Sequence, residues 1–171
     1  MADITAIFFI LMLIGIAYPA LLSAWWMLFP AAVERARTRL ERTPWASFWL
    51  GVVVAIFFLI PILILLNLPA GFAKFLGFVG LGVMLVLSSI GAAGQASRFA
   101  DKLNRLGNFS QIGAFIRGAV ILELASVFPI LGWFVFFPIA TLASLGAATF
   151  ALFNWMPRTV APVAESVPAQ A

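Results

Sequence analysis

The chain has no cysteine and no histidine, and among its 171 residues only ten are basic and six acidic. Without cysteine there is no disulfide, no thiolate zinc site and no iron–sulfur cluster. Without histidine the usual axial haem ligand is missing, and so is the general base of a serine or cysteine triad. Redox compartment leaves no mark on such a composition. A retinal Schiff base needs a lysine in mid-membrane, and Lys74 and Lys102 both fall in connections. No catalytic residue, no metal ligand and no cofactor site is therefore expected. Charge amounts to 9% of the residues, too little polar surface to cover a water-soluble globule.

What the sequence has is apolar length. Hydrophobic residues make up 64% and aromatic residues 15%. The apolar runs are continuous, whereas outer-membrane strands alternate. In lipid only helices and closed barrels satisfy every backbone group, so helices are indicated. A crossing takes roughly 20 apolar residues. The expected fold is thus all-α, a polytopic helical membrane protein with four to five membrane elements. One helical transmembrane domain is assigned to residues 1–157, and a polar proline- and alanine-rich tail, expected to be disordered, to residues 158–171.

The first run extends from Ile4 to Phe29. Its leading charge is Asp3 and it is too long for the apolar core of a signal peptide, so it reads as a retained helix with Pro19 as a possible kink site. The second runs from Trp45 to Leu68, with Pro44 placed for a first helical turn and Pro61 inside. The third covers Phe75 to about Ala93, where Gly77 and Gly80 suit close helix packing. The segment QASRFADKLNRLGNF then places Phe99, Leu103 and Leu106 on one face and Asp101 four residues before Arg105, as in a short interfacial helix with its own ion pair. Ser110 is positioned to cap the next helix. From Ile112 to Trp155 a single straight helix would measure about 66 Å, over twice the hydrocarbon thickness. Pro129 and Gly132 offer the break, giving a fourth element over 111–128 and a fifth over 133–153. The fourth is short enough to enter and leave by one face.

Lysine and arginine in short loops mark the cytoplasmic side. Arg35, Arg37, Arg39, Arg42, Arg98, Lys102, Arg105, Arg117 and Arg158 fall on one side of this arrangement and Lys74 alone on the other. The expected location is a bacterial inner membrane, N-terminus outside and C-terminus cytoplasmic. Trp25, Trp26, Trp45, Trp49 and Trp155 fall on the charged side, where indoles favour the headgroup layer. In the stretch FPAAVERARTRLERTPWASFW, Val33, Ala36 and Leu40 are spaced to face lipid, leaving Arg35, Arg39 and Arg42 to water and phosphates. Arg35, Arg37, Arg39, Arg42, Arg98, Lys102 and Arg105 are accordingly the candidate contacts for anionic headgroups or a partner, each contributing roughly 1 kcal/mol near such a surface. The net charge of +4 is explained by lipid, and no nucleic-acid partner is expected.

Within the membrane, Glu123 is the only acidic residue in an apolar run, with Arg117 six residues earlier and on another face. A charge at that depth costs at least roughly 2.5 kcal/mol and is the default functional residue. Ala140, Ser144 and Ala148 form a small-residue row for close packing on the fifth element, with Ala143, Ala147 and Ala151 beside it.

The pair of stretches FPAAVERARTRLERTPWASFWLG and RGAVILELASVFPILGWFVFFPIA resembles the small multi-span module of bacterial membrane proteins associated with bactofilins, the polymer-forming cytoskeletal proteins. A proline before the second span, an arginine-glycine entry and a proline-x-x-glycine break recur in that group. Pro44, Arg117, Gly118, Pro129 and Gly132 match them over about Leu28 to Phe153. The chain has no right-handed β-helix domain, so the resemblance implies no polymer formation, and it carries no catalytic residues. Three functions follow as expectations. The first is a non-enzymatic accessory or scaffolding subunit of a larger membrane complex, such as a respiratory or photosynthetic electron-transfer complex, with other membrane subunits as partners. The others are a small homo-oligomeric transporter or channel using Glu123, and a membrane anchor for a bactofilin-like cytoskeletal system.

Overall fold

The computed structural model describes the backbone of residues 2–155, with side chains from residue 15 onward and at positions 5, 6, 9, 10, 12 and 13 before it. Arg158 and the expected tail lie outside the described residues. Six helices follow one another: α1 (Ala2–Leu28), α2 (Pro30–Arg42), α3 (Pro44–Asn67), α4 (Gly71–Leu106), α5 (Gln111–Val127) and α6 (Phe137–Leu152), the last entered through a π-helical turn at Gly132–Phe136. No strand occurs among the described residues. Local chemistry sets the boundaries. Pro30 and Pro44 open α2 and α3, where a missing N–H costs nothing. Ser110 caps α5, its Oγ accepting from the Gly113 N–H at 3.2 Å. One residue, Phe29, separates α1 from α2, and the axis of Gly15–Leu28 bends by 108° into α2.

Among the described residues, three helical stretches are long and apolar enough to cross a membrane: α3, α4 and the stretch Gly132–Leu152. The number rises to four if the bent pair Gly15–Leu28 and Pro30–Arg42 is taken as one span. All five expected apolar elements are present as helices, so the fold is all-helical as anticipated. The count of four to five membrane elements is not reproduced as such, because α5, at 17 residues and about 25 Å, lies outside the crossing set.

Packing relies on small residues. A Cβ on Gly51 of α3 would collide with the Leu142 carbonyl of α6, and one on Gly146 would collide with the Ser47 carbonyl, so the two backbones are in reciprocal contact. Gly91 of α4 lies equally close to the Ser144 carbonyl of α6, and Gly118 of α5 to the Ala96 carbonyl of α4. Gly94 receives α2 at Ala36 and Arg37. Both small-residue rows of α6 are used, since Ala143, Ser144, Ala147, Ala148 and Ala151 are all buried. The outer half of α3 pairs with α4 where Ile62 meets Gly80 and Leu66 meets Gly77.

Four expectations are corrected. The segment 95–106 is no separate interfacial helix but the last third of α4, which runs 36 residues and about 54 Å. Nothing between Ala93 and Gln95 breaks it, because a lone glycine packed against a neighbour does not end a helix. Asp101 pairs with Arg37 of α2 at 2.6 Å, across the fold, and not with Arg105. Trp25 and Trp26 turn inward toward the core, Trp26 stacking on Phe115 with ring centroids 5.0 Å apart. Val33, Ala36 and Leu40 face protein, as follows.

Candidate functional site at the arginine-rich end

α2 lies across the end of the bundle where α1 and α4 finish and α3 and α5 begin. Its apolar stripe is buried: Val33 is 1% exposed, Ala36 0% and Leu40 2%. Val33 packs into the cluster built by α1, α4 and α5, while Ala36 and Leu40 pack on Ala143, Ala147 and Ala151 of α6. The spacing that suited lipid is satisfied by protein, and the alanines allow the close approach.

The arginines of α2 divide accordingly. Arg39, expected in water, is 9% exposed. Its guanidinium donates to the Trp155 carbonyl and to Thr43 Oγ1 (3.3 Å) and lies 4.0 Å from the centre of the Phe150 ring. It thus ties α2 to the C-terminal turn of α6, where a cation also complements the helix dipole. Burial lowers its pKa from the ordinary arginine value, yet a guanidinium so placed keeps its proton at neutral pH. Arg35 donates to Asn154 Oδ1 at 3.5 Å. Arg37 bridges Asp101 and, at 3.2 Å, Glu34. Arg42, Arg98, Lys102 and Arg105 make no ion pair or hydrogen bond with the described residues. Four of the seven expected headgroup contacts are therefore available to lipid or a partner, and three hold the fold.

Beside α2 lies a cavity of about 600 Å³ between the start of α3, residues 95–102 of α4 and the turn joining α5 to α6. Arg98 and Lys102 stand in its wall with Trp45, Phe48, Val135 and Ile139. Leu131, at the α5–α6 turn, shares this wall, while Asn154 and Trp155 at the other end of α6 reach Arg35 and Arg39. Both ends of α6 are thus near the charged residues. A second cavity, about 400 Å³, lies between α1, α4, α5 and α6 and is lined by Tyr18, Ser88, Gln95 and Ser126 among others. Two of its polar side chains are paired with backbone, Gln95 donating to the Ala140 carbonyl at 2.9 Å and Ser126 to the Leu122 carbonyl at 2.8 Å, while the buried Trp25 indole N–H has no partner among the described residues.

Glu123 is half-buried at the contact of α5 with α1, its Oε1 facing Gly15, and has no ion-pair partner among the described residues. Arg117 is exposed and lies over the Phe109 ring at 4.2 Å, so the two charges do not meet. Gly77, Ser144 and Ala148 are buried in helix contacts, while Gly80 and Ala140 are half-buried. Among the residues of the bactofilin-type pattern, Pro44 opens α3, Gly118 touches α4, and Pro129 and Gly132 bracket the α5–α6 turn. No three acidic side chains converge as metal ligands among the described residues.

Sequence reasoning missed both the strut role of α2 and the cavity. Ala32 and Ala36 in its apolar stripe were the available signal, since a lipid-facing stripe gains more from large side chains. The cavity left no signal, being formed by segments as far apart in the chain as Leu40 and Ala143. Compared with models of protein families, with curated proteins and with solved structures, the chain matches none.

Proposed function

We propose that this chain is a non-enzymatic integral protein of a bacterial inner membrane, serving as an accessory or scaffolding subunit of a larger membrane complex. The kind we have in view is an electron-transfer complex of a respiratory or photosynthetic membrane. The observation that carries the reading is the α3–α4 hairpin. From Val52 to Ser89 only Ile62 and Gly77 are buried, while Phe57, Phe72, Phe75 and Phe78 are exposed. Helices with so little internal contact leave apolar surface to lipid and to neighbouring subunits, where van der Waals packing drives association.

In this reading α1, α3 and α4 cross the bilayer, and the α5–α6 hairpin enters and leaves by the cytoplasmic face. That the hairpin stays at this face without crossing is supported by Leu131, at its turn, which shares a cavity wall with Arg98 and Lys102, and by Trp155, after α6, whose carbonyl accepts from Arg39. The N-terminus is outside, and Arg42, Arg98, Lys102 and Arg105 meet anionic headgroups. Extraction in a mild detergent, with mass spectrometry of what co-purifies, tests the subunit role. Stoichiometric membrane partners are expected, and recovery as a free monomer alone overturns it.

The position of Glu123 against Gly15 favours a second reading, a small homo-oligomeric transporter. Flux into liposomes that drops with Glu123→Gln would select it, and background flux in both forms removes it.

A further inference from the structure

We propose that the 600 Å³ cavity at the charged end seats one anionic glycerophospholipid, its phosphate diester held by Arg98 and Lys102 and an acyl chain laid among Trp45, Phe48, Val135 and Ile139. This rests on the membrane reading, with that end at headgroup depth, and is independent of any subunit role.

The charges argue first. Arg98 and Lys102 are four residues apart on α4, so their side chains emerge one turn above the other on the same face. Both line the cavity, no acidic residue does, and neither has an ion-pair or hydrogen-bond partner among the described residues. Nearby Arg37 and Arg39, by contrast, are each engaged by protein. Two adjacent cations beside an otherwise apolar hollow, Arg98 half-buried and Lys102 exposed, repel one another, which an anion placed between them relieves. The helix α3 adds to this field. It begins at Pro44 in the cavity wall, and its N-terminus has no side-chain cap, so its positive end is uncompensated.

The remaining lining decides what kind of anion fits. A free phosphate needs donors on several sides, whereas Gln95, the other polar side chain in the wall, donates to the Ala140 carbonyl. Beyond the two cations the surface is aromatic and aliphatic, contributed by α3 and by the α5–α6 hairpin. Its volume lies within the range of small-molecule sites, which are mostly apolar with a few placed polar groups. An anion with an attached hydrocarbon chain matches both halves. A zwitterionic lipid would bring its own cation toward Arg98 and Lys102 and bind less well.

Native mass spectrometry of the full chain, delipidated and returned to micelles doped with phosphatidylglycerol or phosphatidylcholine, tests this directly. One phosphatidylglycerol is expected to remain bound per chain, with phosphatidylcholine retained at least tenfold less. The double variant Arg98→Gln/Lys102→Gln should weaken retention about thirtyfold, taking roughly 1 kcal/mol for each cation. Ile139→Trp, which fills the apolar part and keeps both charges, should also lose the lipid. Lys74→Gln removes an exposed cation outside the cavity and should retain it. Unchanged binding in the double variant overturns the proposal, as does an equal loss in Lys74→Gln, which would mean general charge attraction. Binding unaffected by Ile139→Trp, or displaced by millimolar inorganic phosphate, removes the acyl-chain seat and overturns it as well. Each variant is scored only if it elutes as a monodisperse species, and the two cavity variants perturb different halves of the site.

Discussion

Arg39 shows how a single side chain changes meaning with its surroundings. In an aqueous loop it would add roughly 1 kcal/mol of attraction to anionic lipid, but here it is buried and joins α2 to the end of α6. Arg39→Gln is expected to destabilise the fold by about 1.5–3 kcal/mol, the range for hydrogen bonds to a charged group. Arg39→Lys should recover less than half of that, since an ammonium cannot fork to the Trp155 carbonyl and Thr43 while lying flat on Phe150. Thermal unfolding in a nonionic detergent measures both, and full recovery by lysine would refute the bidentate role. Among the described residues, two non-glycine residues hold a left-handed backbone, Ile130 (φ 65°) and Asn154 (φ 54°). Asn154 follows the end of α6, and the Trp155 N–H bonds the Phe150 carbonyl at 3.0 Å, closing a Schellman-type cap in which asparagine is at home. Ile130 has no such excuse, being β-branched and 73% exposed. Ile130→Gly is expected to raise stability by about 1 kcal/mol in the same assay, and a loss would show that the side chain is needed at the turn.

At the scale of the element, helix contacts are decided by where glycine allows backbones to touch. Gly51→Ala or Gly146→Ala drives a methyl into a carbonyl of the facing helix, and neither backbone can yield without the α3–α6 pair separating. Each is expected to cost about 1–3 kcal/mol. Gly82→Ala is the matched control, because a methyl there meets nothing within 4 Å and alanine is the better helix former, so it should be neutral or slightly stabilising. Size-exclusion profiles and melting of the three variants separate packing from helix propensity; equal loss in all three would refute the backbone contacts as the cause. α2 obeys the same logic, its short side chains at Ala32 and Ala36 letting it lie against α4 and α6 as a strut.

For the whole molecule the decisive quantity is sidedness. Eight of the ten basic residues lie at or near the end capped by α2, and Lys74 stands near the other end of α4, about 42 Å from Lys102 along its axis. With no native cysteine, single thiols can be introduced without background. Lys74→Cys is expected to react with an impermeant maleimide added to intact spheroplasts, and Glu41→Cys only after permeabilisation. The reverse pattern inverts the topology. Reaction of a thiol at Phe134 from the outside would show that the α5–α6 hairpin crosses fully.

The sequence by itself determined the all-helical class and where most of the apolar helices lie, though not that residues 95–106 continue α4. A chain this apolar and this poor in charge must be helical in lipid, and prolines at 30, 44 and 129 with Ser110 fix where helices begin and break by local sterics and capping. Tertiary structure alone decided which charges are free. Arg35, Arg37 and Arg39 differ from Arg98 and Lys102 only through the residues that other helices bring beside them: Asn154, Asp101 and the Trp155 carbonyl for the former, an apolar hollow for the latter. Periodicity records which face of a helix is apolar. It holds no information on whether that face meets lipid or protein, because both are equally dry.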